Sequence, residues 1–390
     1  MPALTTELAY VALIFGLMVV PRALQRFAIP APLTSFAFGG AAALVLGIAS
    51  NDDTLSLLAT LGISSLFLFA GLEVDLDGLR RGLAALLVHL AVRSLTLAAV
   101  ASATVRWLNI PWQAAILVAL ALLTPSTGFI LESLARLGLD EQERFWVTSK
   151  AIGGEMLALV VLFVVLQSGS LQTLVLSTAA LLAMLFLLPL LFIGLMRFVV
   201  PYAAGSEFAL LVMVGLVAAY VTKQLGVYYL VGAFVAGLVA RLLQVRAPRL
   251  ASSENLHAVK LFASFFVPFY FFYRGMNVPA GALQWKSLLL GLALTVGVTP
   301  LRVGVVWAQR RFVVHEDSRS SLRVGLALAP TLIFTLVLAT ILRDRFQLPD
   351  AWYGALLVYA ALTTLLPSIT LAKPFDLDVT DIAARQEGPS

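Results

Sequence analysis

Thirteen mostly apolar stretches, each close to the length of one bilayer crossing, follow one another along this chain. A helix needs about 20 such residues to span the hydrocarbon core. The runs lie roughly at 6–22, 32–49, 54–73, 82–105, 112–134, 146–168, 172–198, 206–222, 226–244, 258–277, 285–308, 322–342 and 351–372. The connections between them are short, so no soluble domain is expected. The pattern predicts an all-α polytopic membrane protein of about 13 transmembrane helices, forming one domain over residues 1–372. Residues 373–390 read as a short polar tail. Composition agrees: 12% of residues are charged, against about 25% in a soluble domain. The opening "MPALTTELAY" lacks a basic n-region, so the first run reads as a retained helix.

Several function classes drop out. The net charge of +5 does not point to nucleic acid, because the basic residues gather in particular loops. There is no cysteine, hence no disulfide or thiol chemistry. His89, His257 and His315 show no metal-ligand spacing, and the glycines of "VGAFVAGLVA" sit inside an apolar run as packing residues, not as a phosphate loop. No cofactor is expected, and nothing points to an enzyme. Sixteen loop Lys and Arg residues fall on one side of the bilayer and five on the other. The positive-inside rule then places the C-terminus in the cytoplasm and the N-terminus outside.

The chain also carries an internal repeat. "LFLFAGLEVDLDGLRRGLAALL" and "FYFFYRGMNVPAGALQWKSLLL" align on Gly71 and Gly275, 204 residues apart. "ALALLTPSTGFIL" and "VGLALAPTLIFTL" align on Pro125 and Pro330, 205 apart. The third run thus matches the tenth and the fifth the twelfth. A shift of seven crossings reverses direction, so the repeat is inverted, over about 54–168 and 258–372. Inverted repeats with paired interrupted helices are the pattern of secondary transporters. Proline removes a backbone N–H and strains the preceding turn. Hydroxyls beside the two prolines (Thr124, Ser126 and Thr127; Thr331) can satisfy the backbone groups so freed.

Within the sixth run, "TSKAIGGEMLALVVLF" holds one acid, Glu155. It lies roughly 14 Å into a helix starting near Trp146, close to the bilayer midplane. Intramembrane acids mark ion pathways by default. Glu73, Asp75 and Asp77 follow their run and Glu132 lies toward the same rim, so Glu155 is the one deep acid. Gly153 and Gly154 before it suit either the close approach of another backbone or plain helix packing. Arg302, just after Pro300, needs a counter-charge, and Glu155 is the available one. Such a pair either locks the structure or exchanges partners during transport. Arg93 has no acid beside it and is expected to bind backbone carbonyls. Arg274 and Lys150 are expected to snorkel toward the rims.

Four stretches, "SSLFLFAGLEVDLDGLRR", "LGVYYLVGAFVAGLVA", "FFVPFYFFYRGMNV" and "WYGALLVYAALTTLLP", resemble the bacterial monovalent cation:proton antiporters of the second antiporter family, which includes Kef-type potassium/proton and Nap-type sodium/proton exchangers. The resemblance runs from about residue 5 to 372. It implies a thirteen-helix fold, a core domain moving against a dimerisation domain, a homodimer, and residence in the bacterial inner membrane. By resemblance, the ion-site carboxylate pair of the sixth helix falls on Gly154-Glu155, the hydroxyl-bearing break on Thr124 to Thr127, and the basic residue of the eleventh helix on Arg302. Three departures stand out. Position 154 is glycine, position 155 is glutamate where aspartate is usual, and the twelfth run has "APTLIF" with no charge.

The expected function is antiport of Na⁺ or K⁺ against H⁺ by alternating access. Glu155 binds either the proton or the cation, with Thr124, Ser126, Thr127 and backbone carbonyls as hard oxygen ligands. One titratable acid makes the exchange electroneutral. The alternative is a non-exchanging, channel-like or sensory member working with a cytosolic regulatory subunit, or a transporter of another ion, such as an anion held by Arg93 and Arg302.

Overall fold

The computed structural model describes residues 2–27, 29–46, 52–74, 83–203, 205–226, 229–244, 248–250 and 252–371. Fifteen α-helices account for nearly all of them. They are α1 (Pro2–Leu24), α2 (Ala31–Leu46), α3 (Asp53–Leu72), α4 (Leu83–Leu108), α5 (Trp112–Leu123), α6 (Thr127–Ser133), α7 (Glu141–Gln167) and α8 (Leu171–Phe198), followed by α9 (Glu207–Gln224), α10 (Tyr229–Leu242), α11 (Ser253–Met276), α12 (Trp285–Phe312), α13 (Ser318–Ala327), α14 (Leu332–Phe346) and α15 (Asp350–Thr370). Among the described residues nine helices are long and apolar enough to cross a membrane, with α5 and α6 taken as one. The pair α13 and α14, bent by 46°, makes a tenth, and α1, α2 and α10 carry shorter apolar stretches. Each of the thirteen expected runs is thus helical, in whole or in part. Asp75, Asp77, Arg80, Arg81 and the 373–390 tail lie outside the described residues.

Polar caps set several boundaries. The sixth run was expected to begin near Trp146, yet α7 begins five residues earlier. Asp140 accepts from the Glu143 N–H and Glu143 reaches back to the Asp140 N–H, a complete capping box. This extension makes α7 27 residues long and puts Glu155 at its centre. Asp52, Ser170, Ser252 and Asp317 cap α3, α8, α11 and α13, each through a side-chain oxygen that accepts from a backbone N–H in the first turn.

The helices pack as two groups. α3 packs against α11 and α10, and α2 against α11, with α1 and α9 alongside. The other group holds α4, α5, α7 and α12 to α15, and α8 touches members of both. Contacts recur between the chain halves: α2 lies on α11 as α10 lies on α3, and α4 on α5 as α12 on α13. Glycines permit the closest of these approaches. A Cβ added at Gly71 would stand 2.3 Å from the Phe234 carbonyl oxygen, and one at Gly275 would stand 2.0 Å from that of Phe36. Without a hydrophobic force between helices in lipid, such backbone-to-backbone packing is what holds them together.

The two broken helices meet in the second group. The chain leaves helix at Thr124–Ser126 between α5 and α6, and at Leu328–Thr331 between α13 and α14. Each break helps satisfy the other. The Ser126 N–H donates to the Pro330 carbonyl at 2.8 Å, and the Ile333 N–H donates to Ser126 Oγ at 2.9 Å. Thr335 Oγ1 donates to the Ala121 carbonyl at 2.7 Å. Irregular backbone at membrane depth is tolerated only with such partners.

Candidate functional site

Glu155 projects from the middle of α7 and is 3% exposed. Thr127, the first residue of α6, faces it. Glu155 Oε2, Thr124 Oγ1 and Thr127 Oγ1 are all buried without a hydrogen-bond partner. An unpartnered buried oxygen ordinarily costs about 1–3 kcal/mol, and here three belong to one break and the helix facing it. Of the expected hydroxyls only Ser126 satisfies freed backbone. Thr124 and Thr127 do not, which corrects that expectation and leaves their oxygens available. Hard oxygens of this kind suit a hard monovalent cation.

The arginines are arranged differently from the expectation. Arg302 does not pair with Glu155. Its Nη1 donates to the Ala329 carbonyl at 2.7 Å and to Tyr359 Oη at 3.1 Å, and its Nη2 donates to the Leu328 carbonyl at 2.9 Å. These carbonyls end α13, where the helix dipole is negative and a cation is favoured. Arg93 does the same for the other broken helix, its Nη2 donating to the Leu123 carbonyl at the end of α5 at 2.9 Å. The expectation for Arg93 names the same kind of partner that the structure shows. The ion pairs among the described residues are Arg310–Glu316, Arg323–Glu143 and Arg343–Asp350, none at the crossing.

Lys150 does not snorkel. It is 1% exposed, and its Nζ donates to Gln309 Oε1 at 2.8 Å. His89 Nδ1 lies 2.8 Å from the same oxygen, and so donates to it. Gln309 Nε2 in turn donates to the Ala85 carbonyl. Gln309 was invisible to a search for charged residues, as was Tyr359, whose hydroxyl donates to the Leu122 carbonyl at 2.6 Å. Both are neutral groups whose roles depend on which helix faces them. Arg274 lies over the Tyr270 ring.

A cavity of about 260 Å³ lies between α1, α2, α11 and the crossing, its lining including Arg22, Gln25, Lys260, Gly128, Phe129 and Ile333. A second, of about 40 Å³, is lined by His89, Arg93, Thr96 and Arg302 together with Leu123 and Leu328 at the two breaks. Among the described residues no cluster of His, Asp and Glu could hold a resident metal.

The chain is 24% identical over 374 residues to the "Probable Na(+)/H(+) antiporter 3" of Methanocaldococcus jannaschii, covering 92% of this chain and 94% of that one. Its fold is similar to that of the sodium proton antiporter MjNhaP1 from the same organism in its pH 8 structure, with TM-score 0.68, 15% identity, and 94% and 96% of the two chains covered. An electron-microscopy structure of MjNhaP1 gives TM-score 0.64 at 16% identity over 99% and 100% of the chains. Glu155, the two breaks and both arginines all lie within residues 10–376, the segment matched by the family model "Sodium/hydrogen exchanger, transmembrane", and the chain belongs to that family.

Proposed function

We propose that this protein exchanges a monovalent cation, Na⁺ or K⁺, for H⁺, and that Glu155 binds the two in alternation. The observation that carries this reading is the trio of partnerless buried oxygens, Glu155 Oε2, Thr124 Oγ1 and Thr127 Oγ1. A cation satisfies them as ligands. A proton neutralises the carboxylate instead. Since one carboxylate cannot hold both, each ion displaces the other, and that competition couples the two fluxes.

The chain halves act as inverted repeats, about 54–168 and 258–372. The group containing α4, α5, α7 and α12–α15 moves as a core against the other helices, which form the dimerisation surface of a homodimer. Alternating access then follows from rigid movement of the core about the ion site. The protein sits in a bacterial inner membrane with its N-terminus outside and C-terminus in the cytoplasm, so the cavity lined by Arg22 and Gln25 opens to the cytoplasm. Arg93 and Arg302 are fixed charges, and Gly154 contributes no ligand. One acid therefore exchanges one proton for one cation, and the cycle is electroneutral.

The test is proton flux in proteoliposomes with Na⁺ and K⁺ compared in the same vesicles. Cation-dependent flux between pH 6 and 9 is expected, and none with either ion would remove the reading. Position 154 favours one rival, a non-exchanging member working with a regulatory subunit, because glycine leaves the carboxylate pair incomplete. Cation binding without flux would support that rival.

A further inference from the structure

The cavity between α1, α2, α11 and the crossing has a lining of two kinds. Met18, Leu66, Phe129, Phe271 and Ile333 give it apolar walls, the last three of them buried. Arg22, His257 and Lys260 are its basic members, all three exposed, and among the described residues no Asp or Glu lines it. Neither Arg22 nor Lys260 belongs to an ion pair among the described residues. Lys260 Nζ lies over the ring of Phe69, 5.9 Å from its centre, and Phe69 also lines the cavity. Arg136 adds a third cation: its Nη2 donates to Oε1 of Gln25, another lining residue, at 2.9 Å. A neighbouring pocket shares Phe69, His257 and Lys260 and contains Glu73 together with Arg241, whose charges offset each other.

The same cavity reaches the outside of the bundle. Leu261, one of its lining residues, is 55% exposed, and Ser264, a further lining residue one turn on, is exposed as well. Both belong to α11, which is long and apolar enough to cross the membrane. An apolar side chain exposed on a membrane-spanning helix meets acyl chains, not water.

We propose that this cavity binds an anionic phospholipid, with the phosphate against Arg22 and Lys260 and one acyl chain against the apolar lining. Three observations select this occupant. The apolar walls suit an acyl chain, which a free phosphate lacks. The unpaired cations suit a negative headgroup, as basic pockets between membrane helices do on the side that loop charges assign to the cytoplasm. The opening beside Leu261 gives a ligand already in the bilayer a lateral way in. The proposal stands apart from exchange through Glu155, because none of the unpartnered oxygens of that site lines this cavity.

The test uses the full-length protein in a neutral detergent, with phosphatidylglycerol and phosphatidylcholine of identical chains as probes. Native mass spectrometry should show phosphatidylglycerol retained over phosphatidylcholine by the wild type. Arg22→Gln combined with Lys260→Gln should weaken retention of phosphatidylglycerol by about tenfold or more, the worth of two basic contacts to anionic lipid, and leave phosphatidylcholine unaffected. Ser264→Trp places a ring across the opening and should reduce retention of both lipids. Melting midpoints without lipid check that each variant is folded. If the double variant melts early, Arg22→Gln and Lys260→Gln are compared singly, each with a loss of about fivefold. Equal retention of the two lipids by the wild type overturns the proposal, as does retention indifferent to the charge variants or to Ser264→Trp. A dimer that retains neither lipid overturns it too, and would mean that a second copy of the chain covers the opening.

Discussion

Glu155 is fully enclosed, yet one of its oxygens has no hydrogen-bond partner. A carboxylate kept only for stability would be paired, since an uncompensated buried charge is strongly destabilising. Its neighbours Thr124 and Thr127 share the same condition, whereas Ser126 between them is fully engaged by the Pro330 segment. The three hydroxyls of one short break are thus divided between two without a partner and one that holds the crossing together. Glu155→Gln keeps the size and removes the titration. It should yield folded, membrane-inserted protein whose cation-dependent flux falls to the liposome background, and wild-type flux would take Glu155 out of the mechanism. Ser126→Ala should behave differently. It orphans the Ile333 N–H, a loss of about 1–3 kcal/mol, visible as a lower midpoint in detergent melting before any change in ion selectivity.

Helices supply the next level of constraint. One of the tight crossings uses glycine on both partners: Gly71 against α10, and on the α10 side Gly237, where an added Cβ would lie 2.1 Å from the Leu68 carbonyl oxygen. Backbone cannot retreat as a side-chain tip can. Gly237→Val should therefore cost at least the ~1–3 kcal/mol typical of overpacking and reduce the yield of folded protein. Gly194→Val in α8, with nothing within 4 Å of the added Cβ, is the control and should leave the yield unchanged. The broken helices follow a related logic in electrostatic form. Each leaves carbonyls at its end in the membrane interior, and each is met by an arginine from the preceding helix in the chain, Arg93 from α4 and Arg302 from α12. The matched placement gives the two halves equivalent charge at equivalent points.

For the whole molecule the charge inventory at the site decides how transport responds to voltage. Glu155 is the only acid there among the described residues, and the two arginines remain protonated throughout. Replacing one proton by one monovalent cation moves no net charge. The equilibrium cation gradient should be independent of an imposed membrane potential, set by an ionophore whose ion is not the test substrate. A clear voltage dependence would require a second proton carrier, and Lys150, buried beside Gln309 with no acid partner, is the first residue to substitute.

The apolar runs alone determined that this chain is a bundle of membrane helices, because a backbone in lipid has to satisfy itself within each span. The prolines at 125 and 330 marked both breaks, since a residue without an N–H interrupts a helix wherever it falls against an unsuitable neighbour. Glu155 stood out because a deep acid is expensive in an apolar run. Which partners those groups take was not legible. Depth along a run pairs Arg302 with Glu155, yet in the fold Arg302 meets the carbonyls that end α13. Whether two such groups meet depends on rotation about the helix axis and on which helix lies alongside, and those are settled by contacts between residues far apart in the chain. The same holds for Gln309 and Tyr359, whose neutral side chains give no signal until tertiary packing sets Lys150 and Arg302 against them. It holds most sharply for Gly154. As a letter it is a missing ligand, and only the packed structure shows the Arg93 guanidinium lying where its side chain would be.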